Sequence, residues 1–168
     1  MEKKSMLLAN LLLTASVVIG RAGPEFVNGE NESPDCVHWP IEGRVSQKLK
    51  PNHPTGIDIV PYKDRHAPIH APVDGEIVYV HPDSPSEQNP QMKASGNFIV
   101  MKSADGEYQF LFAHLSKIAV GVNQQVKVGE EIGLTGSTGN LTGPHVHFEV
   151  KGYQGIVTEN PLKVLCKK

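Results

Sequence analysis

Two histidines one residue apart, His145 and His147, lie in the run Gly143-Pro144-His145-Val146-His147-Phe148-Glu149-Val150. Gly-Pro reads as a turn and the remainder as a strand. Side chains alternate faces along a strand, so His145 and His147 share one face while Val146 and Phe148 point into a core. Two imidazoles on one rigid face suit two jobs: one can hold a metal while the other moves a proton or stabilises an oxyanion. A His-x-His pair on its own is more often a solvated strand face, but three further groups add weight. His53 and Asp58 lie in Asn52-His53-Pro54-Thr55-Gly56-Ile57-Asp58, and His114 lies in Phe112-Ala113-His114-Leu115. Imidazole nitrogen with carboxylate oxygen is a good zinc set, and three protein ligands would leave a fourth position for water. Glu149 shares the face of His147 and could orient an imidazole from behind.

The elements that must carry these groups read as strands. Gly43–Ser46 follows a Trp39-Pro40-Ile41 turn, and Gly56–Val60 alternates with Ile57 and Ile59 on one side and Asp58 on the other. Ile69–Pro72 and Gly75–Val80 are strands divided by an Asp74-Gly75 turn, and Asn97–Lys102 and Tyr108–Leu115 form a hairpin around Ala104-Asp105-Gly106. His81–Ser95 reads as a long functional loop. Gly136, Gly139 and Gly143 are expected to supply turns with positive φ at the rim of the site. No stretch after the N-terminal segment has sustained helical periodicity, so the expected fold is all-β and largely antiparallel.

Composition narrows the classes further. With 168 residues there is room for one domain and a core of useful size. The balance of 16 basic against 18 acidic side chains leaves no basic stripe, which argues against a nucleic-acid partner. The start has an export pattern: Glu2-Lys3-Lys4, an apolar run from Met6 to Gly20, and small residues before a cleavage point after Ala22. Residues 1–22 are thus expected to be a signal peptide; left uncleaved, they would be an anchor and the chain's only membrane contact. Residues 23–35 read as a flexible lead-in and 36–168 as the folded domain. The two cysteines, Cys36 and Cys166, stand near its two ends, where an oxidising compartment would favour a disulfide.

Taken together, these stretches resemble the lysostaphin/LytM-type zinc metallopeptidases, peptidase family M23. The resemblance is carried by Gly56-Ile57-Asp58-Ile59, Ala67-Pro68-Ile69-His70-Ala71-Pro72-Val73-Asp74-Gly75, Phe112-Ala113-His114-Leu115-Ser116, Val126–Gly133, Gly136-Ser137-Thr138-Gly139 and Gly143–Glu149. Six such pieces in this order are specific, although each alone is weak. The resemblance implies a mostly antiparallel sheet sandwich with a groove, of the duplicated-hybrid-motif, lipoyl-like type. It implies one Zn2+ per chain on His53, Asp58 and His147, with His114 and His145 as the flanking catalytic pair; nothing in the spacing divides the roles of that pair. It implies an exported, monomeric enzyme, periplasmic or at the cell wall, that hydrolyses peptide bonds in peptidoglycan stems or cross-bridges. The alternative is a catalytically degenerate LytM-like module that binds or activates a wall hydrolase.

One departure bears on this choice. The family pattern is His-x-x-x-Asp, whereas His53 and Asp58 are five apart and Pro54 occupies the family's His position. Residues five apart on an uninterrupted strand face opposite ways, so His53 reaches the ion only across a kink at Pro54–Gly56. His70 and His66 are the substitutes if it does not. A lipoyl-like carrier is disfavoured because no lysine occupies a credible hairpin tip.

Overall fold

The structure, a computed structural model, describes residues 36–51, 53–152 and 157–168. The expected signal peptide and lead-in, residues 1–35, fall outside the described residues. Short runs of β-branched and aromatic residues punctuated by Gly, Pro and Asp give the chain its strands. In order these are β1 (Gly43–Gln47), β2 (Ile57–Pro61), β3 (Pro68–His70), β4 (Gly75–His81), helix α1 (Pro90–Ser95), β5 (Phe98–Ser103) and β6 (Tyr108–Ala113). There follow β7 (Leu115–Ile118), β8 (Gln125–Val126), β9 (Glu131–Thr135), β10 (Val146–Gly152), β11 (Val157–Glu159) and helix α2 (Pro161–Val164).

The strands form two sheets. The larger has the order β1-β2-β10-β6-β5-β4-β8, with β11 also paired to β10, and the smaller has the order β3-β9-β7. All strand pairings are antiparallel. One hydrophobic cluster joins both sheets: Ile57, Ile77, Ile99, Phe112 and Phe148 come from the larger, Ile69, Leu115 and Ile132 from the smaller. The domain is therefore all-β and mostly antiparallel, with two short helices among the described residues.

Strand β10 fixes the position of the site. Val146, Phe148 and Val150 are completely buried, and Phe148 packs against Phe112 and Phe110 at ring-centroid distances of 5.3 and 6.0 Å. Burying each such aromatic contributes about 2–3 kcal/mol, and this locks the alternation that leaves His145, His147, Glu149 and Lys151 on the opposite face. The neighbours are equally fixed: His147 stands opposite Asp58 on β2 and Ala113 on β6.

Four local expectations need correction. The stretch Tyr108–Leu115 is not one strand: it breaks at His114, whose φ is +68°, and the chain passes from the larger sheet into the smaller. Such a φ is uncommon for a residue with a Cβ. It is held by the His114 and Leu115 N–H groups, which donate to the Ser95 and Asn97 carbonyls at 3.0 Å each. The loop His81–Ser95 ends in α1, which Asn89 caps by accepting from the Gln91 and Met92 N–H groups, with Pro90 in the first turn. The segments before and after Asp74-Gly75 do not pair; β3 belongs to the smaller sheet and β4 to the larger, while Asp74 accepts from Val128 N–H and Lys127 Nζ. Of Gly136, Gly139 and Gly143, only Gly139 has a positive φ.

Cys36 and Cys166 are joined by a disulfide. Val37 pairs with Leu165, and the Trp39 indole N–H donates to the Cys166 carbonyl at 2.8 Å.

Candidate metal centre

Three imidazole nitrogens converge on one carboxylate oxygen. Asp58 Oδ1 lies 2.8 Å from His147 Nδ1, 3.2 Å from His53 Nε2 and 3.7 Å from His145 Nε2. Asp58 itself is only 4% exposed. A carboxylate so enclosed must be met by a proton or a cation, because a buried charge without a partner is costly. Burial pushes its carboxyl up, but the His147 hydrogen bond and the neighbouring His145, His147 and His53 outweigh this and hold it below the usual carboxylate range.

His53, Asp58 and His147 each offer one donor atom, and these atoms lie within 4.8 Å of one another. No other group of three potential ligands of this kind occurs among the described residues. Two nitrogens and one oxygen suit zinc, whose ~2.0 Å bonds in a tetrahedral shell set donors ~3.3 Å apart. The observed 2.8 and 3.2 Å separations are close to that. The donor set fits the ion.

The five-residue spacing is accommodated outside the strand. His53 pairs with Lys50 in an isolated bridge, and β2 begins only at Ile57. Between them Gly56 adopts a φ of +69°, and a Cβ there would come within 2.5 Å of the Phe148 carbonyl oxygen and 3.0 Å of His147 Nε2. Only glycine meets both demands. The substitutes are placed elsewhere: His66 Nδ1–H donates to the Thr135 carbonyl, and His70 lines a separate cavity of about 490 Å3 beneath Trp39 and Tyr62. That cavity is more apolar than the groove, yet it contains none of the five site residues.

His114 and His145 stand beside the trio, with ring centroids 4.8 Å apart and edge to face. Each is oriented by a main-chain carbonyl. His114 Nδ1–H donates to Thr138 at 2.9 Å and His145 Nδ1–H to Gly143 at 2.8 Å, which turns His145 Nε2 toward Asp58 Oδ1 at 3.7 Å. Burial of His114 lowers its pKa to about 4, against a smaller opposing effect of the Thr138 hydrogen bond. At neutral pH it is a neutral imidazole with its lone pair on Nε2. His147 behaves oppositely. Burial disfavours its charge, but hydrogen bonds to Asp58 on one nitrogen and to Glu149 on the other raise its pKa to about 9 in the metal-free protein.

A groove of about 470 Å3 runs over this surface, walled by α1 through Met92 and Ser95, by Asn140, and by the strand face carrying Ala113, His147 and Lys151. The α1 wall is tied to the His114 support, since Gly96 packs so closely on Thr138 that a Cβ there would meet its carbonyl carbon at 2.4 Å. Sequence reasoning missed three groups here: Thr138, whose carbonyl orients His114 and whose hydroxyl donates to Leu115 O; Asn97, which ties β5 to the His114 corner; and Thr55. The Thr138 signal was present in Gly136-Ser137-Thr138-Gly139, but not which residue of that run would act.

Residues 52–160 match the family model for peptidase family M23. The chain belongs to that family. Among related proteins, the peptidoglycan DD-endopeptidase ShyB of Vibrio cholerae is 37% identical over 139 residues, covering 77% of this chain and 29% of ShyB. The murein hydrolase activator NlpD of Escherichia coli is 33% identical over 132 residues, covering 77% of this chain and 31% of NlpD. The chain thus spans less than a third of the length of either relative. Among solved structures, a zinc-containing peptidase from Vibrio cholerae superposes with a TM-score of 0.62 at 27% identity, over 76% of this chain and 39% of that one. This M23 chain therefore has a peptidase fold and a possible metal site, and its relatives include both an endopeptidase and an activator.

Proposed function

We propose that this chain is an exported zinc metalloendopeptidase that hydrolyses peptide bonds in bacterial peptidoglycan, in the stem or the cross-bridge. In this reading His53, Asp58 and His147 hold the ion, and His114 and His145 are the catalytic pair. The observation that carries it is the convergence of those three donors beside two imidazoles, His114 and His145, that pack edge to face and are each anchored through Nδ1–H on a main-chain carbonyl. Zinc supplies Lewis acidity that brings the pKa of water toward ~7 and polarises a carbonyl. The protein's own groups do the rest. His114, neutral and anchored through Nδ1–H, can accept a proton at Nε2 and return it to a leaving amine. His145, anchored the same way with Nε2 3.7 Å from Asp58, can donate to negative charge growing on the carbonyl oxygen once it is protonated. The α1 wall and Asn140 confine an extended peptide along the strand face.

Residues 1–22 as a signal peptide, 23–35 as a lead-in and a monomeric domain from 36 onward complete the proposal, with the periplasm or cell wall as the location. The test is digestion of purified peptidoglycan by the zinc-loaded protein, with mass analysis of the released fragments. Peptide fragments with one new amine and one new carboxylate are expected; an intact polymer would overturn the assignment.

A second reading is a wall-binding or hydrolase-activating module. It is favoured by the one-residue-longer His53–Asp58 spacing and by the similarity to NlpD, a murein hydrolase activator. Zinc analysis separates the two: below about half an equivalent per chain favours the module, because an intact centre of this type binds tightly.

A further inference from the structure

The two imidazoles of the trio are supported unequally. The outer nitrogen of His53, Nδ1, is buried and has no hydrogen-bond partner among the described residues. That of His147, Nε2, lies 3.1 Å from Glu149 Oε1. A free imidazole has two tautomers, and a ligand held in the wrong one presents an N–H where a lone pair is needed. His53 must find its orientation without an outer partner, so the grip on the ion falls disproportionately on His147.

Glu149 is itself well placed for this role. Its side chain is only 13% exposed, and its register opposite Leu111 on β6 is fixed by the buried Phe148 and Val150 on either side. The Thr55 side chain lies beside its carboxylate, and both line the groove. Thr55 belongs to the lengthened segment between His53 and Asp58, and the tight passage of Gly56 over Phe148 O and Glu149 Cγ brings the segment against β10. The segment that displaces His53 also supports the residue behind His147. Lys151 Nζ lies 4.0 Å from the other carboxylate oxygen and leaves Oε1 to His147.

We infer that Glu149 is a positioning residue: it accepts the Nε2–H of His147 and thereby turns the Nδ1 lone pair toward Asp58 and His53, with Thr55 as its brace. The inference rests on the metal-centre reading above and adds the hierarchy within it, Thr55 to Glu149 to His147. Such outer partners typically change metal affinity by about 10–100-fold.

The test uses zinc itself, titrated into the purified metal-free protein against a chromophoric chelator, with imidazole 15N spectra of the zinc-loaded form. Glu149→Ala is expected to weaken zinc by about 10–100-fold and to lose the protected His147 Nε2–H signal. Glu149→Gln, which keeps an acceptor oxygen, is expected to restore most of the affinity and the signal. Thr55→Val is expected to weaken zinc by only a few-fold. Metal-free melting curves of all three variants check that each is folded, and Glu149→Gln remains the decisive arm if Glu149→Ala is not. Glu149→Ala within two-fold of wild type, or Glu149→Gln as weak as Glu149→Ala, overturns the positioning role alone. Wild-type protein that takes up no zinc overturns the metal centre, and the inference with it.

Discussion

The ring centroids of His147 and His114 are 6.3 Å apart, yet their surroundings drive them to opposite chemistry. His147 is clamped between two carboxylates, Asp58 and Glu149, and its pKa in the metal-free protein rises to about 9. His114 is buried and clamped by the Thr138 carbonyl, and its pKa falls to about 4. A carboxylate partner asks the ring for positive charge, from a proton or a metal; a carbonyl partner asks only for a hydrogen bond. His145, on Gly143 O, is anchored like His114. The carboxylate-clamped side of the site thus suits a cation, and the carbonyl-anchored side suits proton transfer.

Substitutions should separate the two sides. His147→Ala should abolish both zinc binding and peptidoglycan cleavage, read by metal analysis and fragment release; retained cleavage would remove the ligand side altogether. His114→Ala and His145→Ala should each keep most of the zinc while losing about 100-fold or more in turnover. Equal activity in wild type and both variants would leave the carbonyl-anchored side without a catalytic role. Gly56→Ala should cost about 1–3 kcal/mol of stability, from a positive φ and a clash with Phe148 O, read as a lowered melting temperature with weaker zinc uptake.

The smallest effect expected is in the pH dependence of metal-free stability. His147 has a folded pKa raised from 6.5 to about 9, so its contribution is complete below ~6.5 and is lost as pH rises through about 9. His114 has a folded pKa lowered to about 4, so its neutral form is favoured on folding and stability falls as pH drops from ~6.5 toward 4. Metal-free melting temperature should peak near pH 6.5 and fall by a few degrees on each side. A His147→Ala variant should lose the alkaline decline only. A profile that rises steadily to pH 9 would contradict the two-sided picture.

Much of this was legible in the residues. The two-residue period of β10 placed His145 and His147 together because Val146, Phe148 and Val150 are too apolar to face water. The need for a kink before Asp58 was equally legible, and Gly56 supplies it. The break at His114 was not. Phe110 and Phe112 continue an ordinary strand pattern, and no Gly or Pro marks a corner there. The turn is imposed by Ser95, Asn97 and Thr138, which are 17 to 24 positions away along the chain. Helix α1 had a local signal, Asn89-Pro90, but its brevity hid it in a loop rich in the same residues. Thr55 could not be singled out, because a threonine beside a proline and a glycine is ordinary turn chemistry until β10 is laid against it.

The Cys36–Cys166 bond joins residues 130 positions apart in the chain and has a practical bearing on how this protein would survive proteolysis. A proteolytic nick at any exposed loop between those two points leaves both pieces covalently attached. Such a nicked molecule would migrate as one species on a non-reducing gel and as two after thiol treatment. Damage by a neighbouring protease would therefore not by itself release half of the groove from the other half.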